Sequence, residues 1–184
     1  MFTRRGFTLV ELLVTISLLT AFIAFLVPYG KDMNKQIVLF NAQNELVSAL
    51  YEARSMAAAA YAAGNSDKAA CSYGVVISGN AIRIVQDIPS GNVCLLPAGD
   101  WSGSVFPNSS PTDIKTISFP SSISLDGFSN LRAITFVPPD MYAYFEGSGL
   151  HNTPACITIT GSTGSLGISV GRFGDISANN HACP

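Results

Sequence analysis

Between Phe7 and Val27 the chain carries one ionisable side chain, Glu11, and this run limits what the protein can fold into more than any other stretch. At about 1.5 Å per residue a helix of that length reaches roughly 31 Å, enough to cross a bilayer core. Arg4 and Arg5 precede it. Positive charge on that flank is expected to hold the N-terminal side in the cytoplasm and to send the C-terminal part across. A carboxylate inside hydrocarbon costs several kcal/mol unless it finds a partner, so Glu11 is expected to have a function.

An ordinary secretory signal places its apolar region before the cleavage site and loses it. Here the residues suggest the reverse order. The short basic leader of residues 1–6, Gly6 before the aromatic Phe7, the Thr8-Leu9-Val10-Glu11 run and Pro28 just past the apolar span resemble the N-terminus of type IV prepilins and type II secretion pseudopilins. The resemblance implies that a prepilin peptidase cuts between Gly6 and Phe7 and methylates the new amino group of Phe7. It also implies that Glu11 neutralises the amino terminus of an adjacent subunit in a filament. That pairing would fix axial register, because a wrong register leaves a buried charge unpaired. Pro28 lacks an N–H and is expected to kink or loosen the helix near Ala24. Some relatives carry a glycine where this chain has Thr20, which argues against extensive melting of the helix.

Beyond the span, helical periodicity resumes. Ile37, Phe40, Val47, Leu50, Tyr51, Ala58 and Tyr61 fall mainly at steps of three, four or seven and are expected to form the buried face, with Gln43 and Asn44 interrupting it. Asn41, Glu45 and Glu52 belong to the opposite side. The alanine-rich stretch 53–63 favours helix, and Gly64-Asn65 is a stop signal. From Cys71 the period changes to two. Segments 73–78 and 81–86 flank Gly79-Asn80, a two-residue hairpin signal. Further strands are expected at 114–119, 122–125, 133–137, 142–145, 156–160, 166–170 and 175–177. Residues 87–112 read as a long loop containing Trp101.

The four cysteines, Cys71, Cys94, Cys156 and Cys183, all lie past the span. An even count on an oxidising side favours two disulfides, though four cysteines allow three connectivities. Proximity in sequence favours Cys71–Cys94 and Cys156–Cys183. No metal site is expected, since there is no C-x-x-C pair and His151 and His181 sit in Gly/Asn-rich loops. No cofactor is expected, and no constellation of nucleophile and base marks an enzyme. Gly161, Gly164 and Gly167 lack the strand–turn–helix setting of a phosphate loop and read as hairpin glycines. Asp126, Asp140 and Asp175 lack the alternating spacing of a calcium loop. The formal net charge of −2 would become −4 on loss of Arg4 and Arg5, so nothing indicates a nucleic-acid partner.

Leu50-x-x-Ala53-Arg54, Ile134-Thr135-Phe136 before a Pro-Asp turn, and the ending that runs through Ile157-Thr158-Ile159-Thr160, Ile168-Ser169-Val170 and Gly171-Arg172-Phe173-Gly174 resemble the GspH/FimT branch of minor pseudopilins. Two departures stand out: Met141 replaces the usual glycine after the turn, and the tail from Ser177, which carries Cys183, is an addition. The expected fold is α+β and pilin-like, a long N-terminal helix packed on an antiparallel β-sheet domain. Its parts are a cleaved leader (1–6), a transmembrane half-helix (7–27), a periplasmic half-helix (28–63) and a β-rich domain (64–184). The expected role is a structural subunit of a type IV pilus or type II secretion filament, held in the bacterial inner membrane before extraction. Its expected partners are other pilin or pseudopilin subunits, the prepilin peptidase, an inner-membrane assembly platform and, before assembly, membrane lipid. The alternatives are a major pilin forming the shaft, or a single-pass membrane-anchored periplasmic binding protein or enzyme.

Overall fold

A computed structural model of the chain describes residues 8–62, 70–88, 111–127, 131–138, 140–146 and 154–183. One helix, α1 (Leu9–Ala62), runs for 54 residues and continues through Pro28. At 1.5 Å per residue it is about 80 Å long. Nine strands follow among the described residues: β1 (Ser72–Ser78), β2 (Ala81–Asp87), β3 (Thr112–Ser118), β4 (Ser124–Gly127), β5 (Ala133–Val137), β6 (Tyr142–Glu146), β7 (Ala155–Gly161), β8 (Gly164–Val170) and β9 (Ile176–Asn179). They form two antiparallel sheets, one ordered β3-β2-β1-β5-β6 and the other β4-β7-β8-β9. The two-residue turns Gly79-Asn80 and Ser162-Thr163 close hairpins at Ser78↔Ala81 and Gly161↔Gly164. Gly79 adopts φ 60°, the left-handed geometry such a turn needs.

The second half of α1 and both sheets enclose one core. The helix contributes Leu39, Ala42, Leu46, Ala49, Leu50, Ala53 and Ala57, all buried. Four of these seven are alanines, which let the strands approach the helix axis closely. Val75, Ile82, Ile84, Ile134, Phe136 and Phe145 face them from the first sheet, and Ile157, Ile159, Leu166, Ile168 and Val170 from the second. The buried face of α1 is therefore not the one expected from Ile37, Phe40 and Tyr51. Ile37, Phe40 and Tyr51 are about half exposed (51%, 47% and 47%), Val47 is half-buried, and only Leu50 of the expected set with described side chains below residue 58 is fully buried.

Gln43, expected to interrupt the buried face, belongs to it. It is 4% exposed, and its side-chain amide donates to the carbonyls of Gly167 on β8 and Asn179 on β9, both at 3.0 Å. A buried amide is tolerated when its hydrogen bonds are made. Gly167 is likewise not a turn glycine. It lies inside β8, where a Cβ would meet the carbonyl oxygen of His181 at 2.6 Å, so the C-terminal tail crosses this strand in contact with its backbone. The Cys183 N–H donates to the Thr158 hydroxyl, and Cys183 is disulfide-bonded to Cys156 with a Cα separation of 5.9 Å. Cys71 is disulfide-bonded as well. Cys94, Trp101 and His151 lie outside the described residues.

Candidate functional site: the N-terminal helix

The first turn of α1 is built by its own sequence. Thr8 precedes the helix, and its hydroxyl accepts from the Glu11 N–H at 3.3 Å. The Glu11 carboxylate in turn accepts from the Thr8 N–H at 3.2 Å and from the Thr8 hydroxyl at 3.1 Å. This is a capping box, in which residues three apart satisfy each other's unpaired helix-start groups. The negative charge also lies at the positive end of the helix dipole. The Thr-x-x-Glu spacing that signals this is visible in the sequence, and the role assigned to Glu11 there had overlooked it. Glu11 thus has a partner within its own chain. Gly6 and Phe7 lie outside the described residues.

From Leu9 to Leu26 the mean hydropathy is 2.4 and none of the segment is buried in the protein. Leu9, Phe22 and Phe25 are 79%, 69% and 78% exposed. The core helix of a water-soluble domain would hide such residues. A bare apolar helix long enough to cross a bilayer needs lipid or other protein around it. Within this segment Thr15, Ser17 and Thr20 turn their hydroxyls back onto carbonyls three or four residues earlier, at 2.9–3.1 Å. That is how such groups are satisfied where water is absent.

Among the described residues no three His, Cys, Asp or Glu side chains come together, Asp126, Asp140 and Asp175 included. His181 is exposed in the tail. The described ion pairs are Arg83–Asp113 at 3.0 Å and Lys115–Glu52 at 2.8 Å, both exposed, and the second ties β3 to α1. Arg54 packs its guanidinium against Gly174, where a Cβ would lie 3.2 Å from Nε and 2.9 Å from the Met141 carbonyl oxygen. Gly174 adopts φ 73° and Met141 φ 55°, so the methionine that departs from the branch pattern occupies a backbone conformation that glycine would hold without strain.

A family model for the prokaryotic N-terminal methylation motif matches residues 1–27. No curated protein matches. Among solved structures, the chain is similar to the type IV minor pilin FimU of Pseudomonas aeruginosa, with a TM-score of 0.51 and 14% identity, over 82% of this chain and 99% of that one. At that identity the likeness is one of fold. The chain thus carries a prokaryotic N-terminal methylation motif at the start of a bare apolar helix, and it shares the helix-on-antiparallel-sheet fold of that pilin structure.

Proposed function

We propose that the protein is a minor subunit of a type IV pilus or related secretion filament. It waits in the inner membrane through α1 and is extracted into a helical assembly. The observation that carries this reading is the exposure of Leu9–Leu26 on a helix whose other half is locked into a domain. The same apolar surface suits lipid before assembly and neighbouring helices after it. The methylation motif supports cleavage between Gly6 and Phe7 by a prepilin peptidase, followed by methylation at Phe7. The minor role rests on the likeness to a protein described as a minor pilin. A subunit of the filament shaft is the second reading, favoured by the continued exposure of Met33, Ile37 and Phe40 above the span.

In this reading Glu11 has two partners in succession. Thr8 satisfies its carboxylate in the lone subunit, and the Phe7 amine of a neighbour replaces or joins Thr8 during assembly. An unpaired carboxylate at membrane depth costs about 2.5–3.5 kcal/mol on insertion scales, which is enough to select one docking register. The test is Glu11→Ala. Cleavage of the leader is expected to proceed, while incorporation into sheared filaments falls by tenfold or more. Wild-type incorporation of the variant would remove Glu11 from the account.

A further inference from the structure

We infer that copies of this chain stack head to tail, with Phe173 of one copy seated in the cleft between α1 and the Ser122–Ile123 loop of the copy above it. This rests on the filament reading and names one contact within it. Among the described residues outside α1, Phe173 is the most exposed large hydrophobic side chain, at 67%. It stands on a rigid support. The Gly171 N–H donates to the Asp175 carbonyl, the Gly174 N–H to the Gly171 carbonyl, and the Ala143 N–H of β6 to the Arg172 carbonyl. The Tyr142 ring lies 5.6 Å from the Phe173 ring and 5.7 Å from the Arg172 guanidinium carbon. Aromatic rings and arginine, held rigidly, are the side chains that anchor protein interfaces.

The receiving site lies at the other end of the domain. Ser122, Ile123 and Ser162 meet Asn34, Lys35 and Val38 of α1 around a cleft of about 400 Å³, room for a benzyl side chain, and its apolar walls are Val38 and Ile123. Lys35 is already engaged within its own chain. The charge offered to an incoming Arg172 is Asp126, exposed on edge strand β4, whose carboxylate has no partner among the described residues. Three residues of strand separate Asp126 from Ile123, about 10 Å. Arg172 and Phe173, at 5.7 and 5.6 Å from the same Tyr142 ring, can span that distance. A cation and a ring on one copy thus match a carboxylate and an apolar cleft on the next.

Register is the second argument. Gly174 lies against the Arg54 guanidinium, whereas the cleft is level with Asn34, Lys35 and Val38. The contact therefore displaces the upper copy by about 18 residues, roughly 27 Å along parallel helices. The same displacement lays the exposed Leu9–Leu26 segment of the upper copy beside residues 27–44 of the lower one, where Met33, Ile37 and Phe40 are exposed. One offset thus covers Phe173 and both exposed stretches of α1. This neighbour differs from the one whose amine meets Glu11, because a shift from Phe7 to Glu11 is only about 6 Å. A contact between unlike surfaces does not close on itself but propagates along an axis, and a few copies suffice to form it.

The test is photocrosslinking in sheared filaments from cells that express two differently tagged copies of the full chain, one of them carrying p-benzoylphenylalanine in place of Phe173. Adducts joining the two tags at residues 34–38 or 122–126 are expected. The reciprocal placement, at Ser122, should mark residues 172–174. Asp126→Arg in the receiving copy should lower the yield by about tenfold, and adding Arg172→Asp to the inserting copy should restore most of it. A processed chain that enters filaments but gives no such adduct from either placement overturns this contact and leaves the filament reading intact. So does a yield that Asp126→Arg leaves unchanged or that the charge swap fails to restore. A chain that keeps residues 1–6 and stays out of filaments overturns both.

Discussion

At the scale of single residues, the backbone explains choices that composition hides. Met141 holds φ 55° between β5 and β6, a region that L side chains enter at a cost. Its unbranched side chain packs against the core, so the position trades backbone strain for apolar contact. A β-branched replacement keeps the contact and raises the strain. Met141→Val is expected to destabilise the domain by about 1–3 kcal/mol, and thermal melts of the detergent-solubilised chain measure it. Met141→Gly removes the strain and the contact together, and should lie closer to wild type. Thr8 and Glu11 teach a related lesson. A spacing read only as an assembly residue also starts the helix, so substitutions at Glu11 change the first turn as well as any contact between subunits.

At the scale of elements, α1 is held in rotation by more than hydrophobic burial. Gln43 reaches the carbonyls of β8 and β9, and this pair of bonds fixes which face of α1 points away from the domain. Gln43→Met conserves shape but removes both bonds. The expected loss is about 1–3 kcal/mol, read from urea unfolding of the full chain in micelles. The tail is the second fastening. Cys156 and Cys183 are 27 residues apart, and a loop of that length contributes roughly 3–4 kcal/mol by restricting the unfolded chain. Cys183→Ser should therefore lower stability by that order and speed exchange at residues 179–183, which stay fast only there if the rest of the domain survives. Edge strand β3 shows the opposite need. A bulge between Ile84 and Val85 in its ladder, with Lys115 and Asp113 in ion pairs on flanking elements, discourages pairing with another sheet.

At the scale of the whole molecule, the strand layout was legible and the helix packing was not. Alternation and paired turn residues put β5 at its observed bounds and β1, β2, β6, β7 and β8 within about two residues, because a half-buried strand writes its period directly into the sequence. The buried face of α1 was misread because three large residues, Ile37, Phe40 and Tyr51, stay about half exposed, while Leu39, Leu46 and four alanines join Leu50 in the core. That inversion follows from the function proposed here: a helix that serves a domain on one side and an assembly or membrane on the other has two apolar faces, and the bulkier one need not be the inner one. The disulfide that pins the tail agreed with proximity in sequence, whereas Gln43 gave no signal of its partners, which lie more than a hundred residues away. The central claim is that this chain is processed and extracted from the membrane into a filament. Quantitative mass spectrometry of sheared surface filaments beside the membrane fraction tests it most directly. The account predicts an N-methylated peptide beginning at Phe7, present in filaments at low stoichiometry; a chain still beginning at Met1 and confined to membranes would contradict it.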